Sequence, residues 1–503
     1  MSAADCAANP LLALPFEPSI EGLGDAYWDG VEAATFPQTR LRFRNDALLE
    51  QLGLDPAAVA DRDFEAAYGR FEARQPLLAL RYHGTQFGTY NPFLGDGRGF
   101  LYGQLRDIRG DLQDLGSKGS GTTPWSRGGD GRLTLKGGVR EIIAAEALHR
   151  LGVSTSRTLS LVETGEELYR SDEPSPTRSS VMVRLARTHL RFGSCERLLH
   201  RREPQQLERL WRHVQATYYP QLDRLDAEDR GLALYGELVE RVARLAAEWM
   251  VAGFTHGVLN TDNMSLAGES FDYGPFAFLD SWDPGFTAAY FDQTSLYAYG
   301  QQPRVCHHNL RLLQEPLAML WPRQELEQRL GRFGSVYTAH YRSRLMRRLG
   351  FDAALLEPGD KDWLASDELP DLLLPTLQLL VDWPVAYGSF FACLERHVAL
   401  AGLPAEAEAL APFVPGAPDP PRAAWLAWRD AWWAWSWTWP QPETIAPTLA
   451  RWNLPVTPVR AEIERIWAAI DQRDDWSLLE DWLEQTRGPL GPSLSAGSQP
   501  AYP

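Results

Sequence analysis

Cysteine is scarce: Cys6, Cys195, Cys306 and Cys393 are the four in 503 residues. They stand far apart and form no CxxC pair, which argues against a disulfide scaffold or a zinc ribbon and for a reducing, cytoplasmic setting. Excess basic charge is also missing. Lys and Arg number 49 against 66 Asp and Glu, a formal charge of -17, which disfavours nonspecific nucleic-acid binding or a clamp on anionic lipid. Any anionic ligand therefore needs a local basic site. Long apolar runs are absent too. No stretch of about eighteen uninterrupted apolar residues occurs, so no spanning helix is expected. The opening MSAADCAANPLLALPFEP has neither the basic flank nor the continuous apolar run of a signal peptide. Neither nucleic acid nor membrane is expected as a partner.

What is present is enough apolar residue, 44%, to bury a large interior, and a length that predicts two or more subdomains. Between Gly95 and Arg140 the composition shifts to thirteen glycines and eight Lys or Arg against five Asp. Glycine lets backbone approach a ligand, and free N–H groups beside cationic side chains are what a polyphosphate requires. A meander of β-turns would show the same glycines. Next, GGVREIIAAEALHRLG predicts a helix from about Val139 to Leu151, closed by Gly152. RTLSLVET and SSVMVRLAR predict two strands around a polar turn.

From about Gly193 the pattern is helical. GELVERVARLAAEWMVAG sets Leu238, Val242, Leu245 and Trp249 on one face and stops at Gly253, delivering the chain into THGVLNTDNMSLAGESFDYGPFAFLD. Trp425, Trp428, Trp432, Trp435 and Trp439 recur at three- and four-residue steps, with Trp433 and Trp437 on another face. Core or interface packing is the expected role, with partner or membrane docking as the alternative. The end GPLGPSLSAGSQPAYP, residues 488–503, has the composition of a disordered tail.

The parts of a protein kinase appear in order: a Gly-rich cover, a strand lysine, a helix glutamate, a catalytic loop and a metal-binding Asp-aromatic-Gly. LGDGRG offers Gly95, Gly97 and Arg98, SKGSG offers Lys118, the helix offers Glu141, and FDYG offers Asp272. Lys118 and Glu141 are the expected pair, because a lysine that grips phosphate needs an anion to fix its flexible stem. The catalytic loop departs from the kinase pattern. An H-x-D-x-x-x-x-N motif would run from His256 to Asn263, yet Val258 fills its aspartate position, and a valine cannot take a proton. Asp262 stands instead directly before Asn263. Asn263 and Asp272 supply oxygen ligands of the kind Mg²⁺ accepts.

The stretches YHGTQFG, LGDGRG, SKGSGTTPWSR, GGDGR, REIIAAEALHRLGV, VMVRLARTHLRFG, HGVLNTDNMS and FDYGPFAFLD resemble the selenoprotein O family of AMP-transferring pseudokinases, from about Leu78 onward. The resemblance implies an α+β, protein-kinase-like fold of two lobes. Residues 1–193 would hold an N-terminal extension and a mixed N-lobe of sheet plus helix, and residues 194–487 a larger, mainly helical C-lobe. It implies ATP bound in a flipped orientation, with Gly95, Gly97, Arg98, Lys118, Asp130, Gly131, Arg184, Arg191 and Asp272 around the nucleotide. Asn263 and Asp272 would hold Mg²⁺ or Mn²⁺, Glu141 would position Lys118, and Asp262 would accept the proton of a Ser, Thr or Tyr hydroxyl. The expected function is protein adenylyltransfer with release of pyrophosphate, onto protein substrates and onto the enzyme itself as a candidate acceptor. A γ-phosphoryl-transferring kinase and a noncatalytic ATP-binding scaffold are the alternatives. The chain departs from the family's usual motifs at Thr85, Ser117, Thr123, Trp125 and Lys136-Gly137-Gly138. Its late element keeps Asn453, Pro458 and Arg460, and the tail lacks the family's selenocysteine or cysteine.

Overall fold

The computed structural model describes residues 9–171, 173–356 and 371–487; the predicted tail and Cys6 lie outside them. The N-terminal half is built on an eight-stranded antiparallel sheet. Its strands are β1 (Trp28–Val31), β2 (Arg40–Arg44), β3 (Leu77–Leu80), β6 (Leu101–Arg106), β7 (Leu112–Lys118), β8 (Leu133–Thr134), β9 (Arg157–Leu168) and β10 (Thr177–Ala186). The order is β1-β3-β6-β7-β10-β9-β2, with β8 paired to β10. A separate hairpin, β4 (Gly84–Gln86) and β5 (Thr89–Asn91), leaves the sheet after β3.

Both faces of the sheet are covered, and the second half of β10 shows how, with Val181, Val183 and Leu185 on one face and Met182 and Arg184 on the other. Val181, Val183 and Leu185 enter a core shared with the short helices α1 (Asp46–Gln51) and α2 (Asp61–Phe64). Met182 points the other way, into the core that contains α3 (Leu135–Arg150). Successive strand side chains face opposite sides, so Arg184 shares the α3 face with Met182. The β7–β10 register sets Lys118 opposite Met182 and Gly116 opposite Arg184. Two cationic side chains 66 positions apart in sequence thus come to one face.

Helix α3 begins four residues before the predicted start. Thr134 caps it, its Oγ accepting the Gly137 N–H at 3.1 Å, so the glycine pair lies inside the first turn instead of ahead of it. Gly138 is needed there for packing, since a Cβ would sit 2.4 Å from Leu161. Glu141 projects from the second turn and is buried.

The remainder is largely helical: α4 (Phe192–His200), α5 (Pro204–Tyr218), α6 (Arg230–Ala252), α7 (Gln302–Leu317), α8 (Arg323–Leu330), α9 (Phe333–Arg348), α10 (Leu373–Asp382), α11 (Tyr387–Ala401), α12 (Arg422–Thr438), α13 (Ile445–Trp452), α14 (Arg460–Arg473) and α15 (Ser477–Arg487). In α6 the predicted face of Leu238, Val242, Leu245 and Trp249 is buried, and Gly253 takes a left-handed conformation that ends the helix. Two small strands follow, β11 (Phe254–Thr255) and β12 (Ala277–Phe278), which pair and enclose the loop between them. The tryptophan helix α12 is a core element. Trp425, Trp428, Trp432 and Trp439 are buried in a second core with α10 and α11, while Trp437 is 60% exposed. The predicted second face is explained by the Trp433 and Trp437 indoles, which both donate to the Pro404 carbonyl. None of the described helices is long and apolar enough to cross a membrane.

Candidate active site

Lys118 ends β7 with its ammonium in the interior, where it donates to Glu141 Oε1 of α3 and to Asp272 Oδ1, the latter at 2.6 Å. Arg184 reaches the same carboxylates, with Nη1 3.4 Å from Asp272 Oδ1 and 3.5 Å from Glu141 Oε2. Burial alone would push the Asp272 carboxyl up, but Lys118, Arg184, Arg191 and Arg98 outweigh it and hold it well below the usual range. It is therefore a fixed anion. Asp272 also adopts φ +64°, a region that non-glycine residues seldom occupy and that recurs at functional sites. The preceding Phe271 is fixed by His256, whose ring nitrogen Nε2 donates to the Phe271 carbonyl at 3.0 Å.

The catalytic loop makes one tight turn at Thr261–Asn263. It is tied on one side to the segment leading into α4, through Phe192 N–H to Met264 O and Leu266 N–H to Leu190 O. On the other side it meets the β4–β5 hairpin. Thr85 N–H donates to Thr261 Oγ at 2.7 Å, and Thr261 Oγ donates to the buried Glu196 carboxylate at 2.8 Å. Asp262 is 8% exposed. Its Oδ2 accepts from Gln86 at 3.2 Å, whereas Oδ1 is buried without a hydrogen-bond partner among the described residues. Burial pushes its pKa up to about 6, against the opposing pull of Arg191. Asn263 donates its side-chain N–H to the Val258 carbonyl at 2.9 Å, which orients the amide.

A cavity of about 720 Å³ opens between these parts. Gly95, Gly97, Arg98, Lys118, Asp130, Gly131, Arg184, Arg191, Asp262 and Asp272 all line it. Glu141 and Asn263 do not; Glu141 stands behind Lys118, and Asn263 is half-buried in the turn. Arg98 is exposed. Asp130 is bound through both carboxylate oxygens to Arg170, at 2.8 and 3.1 Å.

Arg191 does more than its sequence context suggested. It lies between the rings of Tyr82 and Phe271, at 4.2 and 4.9 Å from their centroids, and donates to the Asp262 carbonyl at 3.0 Å. The same guanidinium that faces the cavity thus also holds the backbone of Asp262. Tyr82, Gln86, Asp96 and His189 also line the cavity and were not singled out from sequence; Trp125 lines it too, and stood out only as a departure from the family's motif. Gln86 and His189 lay within stretches quoted above, YHGTQFG and VMVRLARTHLRFG, but nothing local marks them.

A hard divalent cation fits the donors available. Asp272 is ionised and its contacts to Lys118 and Arg184 both fall on Oδ1, and the Asn263 amide, held by its N–H on Val258, keeps a carbonyl oxygen; oxygen donors of this type suit Mg²⁺ or Mn²⁺.

The family model described as protein adenylyltransferase SelO matches residues 10–487. The protein nucleotidyltransferase YdiU of Synechococcus elongatus is 52% identical over 492 residues, 95% of this chain and 96% of its own. That of Gloeobacter violaceus is 51% identical over 484 residues, 96% of each chain. A more distant relative of that name from Pseudomonas fluorescens is 37% identical over 386 residues, 76% of each.

Proposed function

The chain belongs to the SelO family of protein adenylyltransferases, and we propose that it moves AMP from ATP to Ser, Thr or Tyr hydroxyls of proteins with Asp262 as the proton acceptor. The observation that carries the assignment is the placing of Asp262, a nearly buried carboxylate with a raised pKa, on the wall of the cavity that Lys118, Arg184 and Asp272 also line. A base whose pKa is raised toward neutrality accepts a proton efficiently near pH 7.

In this reading Lys118, Arg98, Arg184 and Arg191 hold the phosphates, and Glu141 keeps the Lys118 stem in place. Asn263 and Asp272 would hold Mg²⁺ or Mn²⁺, which when bound supplies positive charge against the departing phosphates. The acceptor oxygen forms a bond to the α-phosphorus as its proton passes to the Asp262 carboxylate. The bond from the α-phosphorus to the bridging oxygen breaks, and pyrophosphate leaves with that electron pair. The fixed cations stabilise charge without reorganising. The reading extends to architecture: the strand lysine, the α3 glutamate and the Asp272 turn support a two-lobed, kinase-like arrangement with residues 1–193 over residues 194–487. A cytoplasmic location accords with buried, unpaired Cys195, Cys306 and Cys393.

The test is parallel incubation with ATP labelled at the α- or the γ-phosphorus. Protein-bound label from the α position alone, with pyrophosphate released, is expected. Label from the γ position would replace this reading with kinase chemistry, and label from neither would leave a nucleotide-binding scaffold.

A further inference from the structure

From behind the cavity to its cationic wall, a buried series of polar groups runs from Asp114 through His189 to Arg184, the last two lining the cavity. Asp114 lies on β7 and is fully buried. Its Oδ1 accepts from Gln104 at 2.7 Å; its Oδ2 accepts the His189 backbone N–H at 2.7 Å and faces His189 Nδ1 at 3.3 Å. On the far side of the ring, Arg184 Nε stands 3.2 Å from His189 Nε2. A guanidinium has donors only, so Nε2 must carry a lone pair. The imidazole is therefore neutral with its proton on Nδ1, where it points at Asp114. Burial lowers the His189 pKa, which favours the same form.

The ring has little freedom. A Cβ on Gly116 would fall 2.2 Å from His189 Nε2, and Phe271 packs edge-on with its centroid 6.4 Å away. The glycine directly across the ladder from Arg184 is thus the space in which the imidazole sits.

We infer that His189, oriented by Asp114, is a positioning residue for AMP transfer, acting by fixing Nε of Arg184 so that the other guanidinium nitrogens face the cavity. Arg184 lies within reach of two carboxylates, Glu141 and Asp272. Its Nη1 already stands 3.4 and 3.5 Å from them, and without an acceptor at Nε the whole guanidinium can close further onto them and withdraw from the phosphates, keeping its charge but losing its aim. Ground-state attraction for ATP depends mainly on the charge, whereas stabilisation of the transition state depends on the aim. The inference rests on the assignment of Arg184 to the ATP phosphates.

The experiment compares full-length His189→Ala, His189→Met and His189→Gln, each alone and with Arg184→Ala. Turnover is read with α-labelled ATP as protein-bound label, and ATP affinity by calorimetry. His189→Ala and His189→Met should lower turnover at saturating ATP by about tenfold or more with affinity within roughly threefold of the parent. His189→Gln, whose amide oxygen can stand where Nε2 stood, should recover most of the loss. In the Arg184→Ala background, His189→Met should add less than about twofold. Additive losses, or a Gln variant as poor as the Met variant, would overturn the inference while leaving Arg184 in place. A fully active Arg184→Ala single variant would overturn the phosphate assignment itself, and the inference with it. If His189→Ala does not fold, the Met and Gln pair carries the comparison.

Discussion

Asp262 has a carboxylate oxygen with no hydrogen-bond partner among the described residues, which a structural aspartate rarely has because an unsatisfied buried acceptor costs roughly 1–3 kcal/mol. Asp262→Ala should therefore retain ATP affinity by calorimetry while turnover falls roughly 100-fold, the scale of a positioned base; equal losses in both would assign it a structural or metal role. Lys118 presents the opposite case, a cation with two carboxylates on it. Because Glu141 acts by holding Lys118, Lys118→Ala and Glu141→Ala should each be damaging and the double variant little worse than either. Rate losses that multiply would show two independent contributions.

At the scale of elements, the junction of α6 and α9 includes a buried carboxylate. Glu248 of α6 accepts from Arg344 of α9 at 2.7 Å and from the Ser154 N–H after α3 at 3.0 Å, with His340 at 3.2 Å. Burial raises its pKa, but Arg344 and His340 outweigh that and bring it down to about 2. A depressed folded-state pKa contributes stability that is present above the unfolded value, near 4.5, and is lost as pH falls through about 2. Glu248→Gln should thus lower stability at pH 7 by roughly 3 kcal/mol. Denaturant titrations of parent and variant should converge as pH drops from 4.5 toward 2. A constant difference across that window would refute the ionic account.

At the scale of the whole molecule, the last two helices close back onto the first half. Asp474 binds Arg42 and Arg178 of the sheet at 3.0 and 2.8 Å, and Leu479, Trp482 and Leu483 of α15 are buried in the core that contains α3. Burial decides their relative weight. Asp474 has 39% side-chain exposure, and ion pairs this exposed contribute about 1 kcal/mol or less, whereas truncating a buried tryptophan costs about 3–5 kcal/mol. Trp482→Ala should therefore lower the thermal unfolding midpoint far more than Asp474→Ala does. Turnover per folded molecule should be unchanged, since no residue of α15 lines the cavity.

The strands β9 and β10, the α6 face with its stop at Gly253, and the glycine-rich basic segment were legible in the sequence, because periodicity and turn chemistry are local properties of adjacent residues. The candidate chemistry was legible for the same reason: Asp262, Asn263 and Asp272 fall within eleven consecutive residues. The start of α3 was misread because two glycines look like a break until Thr134 is seen capping the helix ahead of them. His189, Gln86 and the second duty of Arg191 could not be read at all. His189 receives its proton direction from Asp114, 75 positions away, and Gln86 meets Asp262 across 176. Sequence by itself determined which side chains are available and which segments form strands and helices. Only the tertiary structure, through the register of β7 on β10 and the hairpin folded over the catalytic loop, decided which of them meet, because side-chain convergence depends on pairing between distant segments and not on neighbours in the chain.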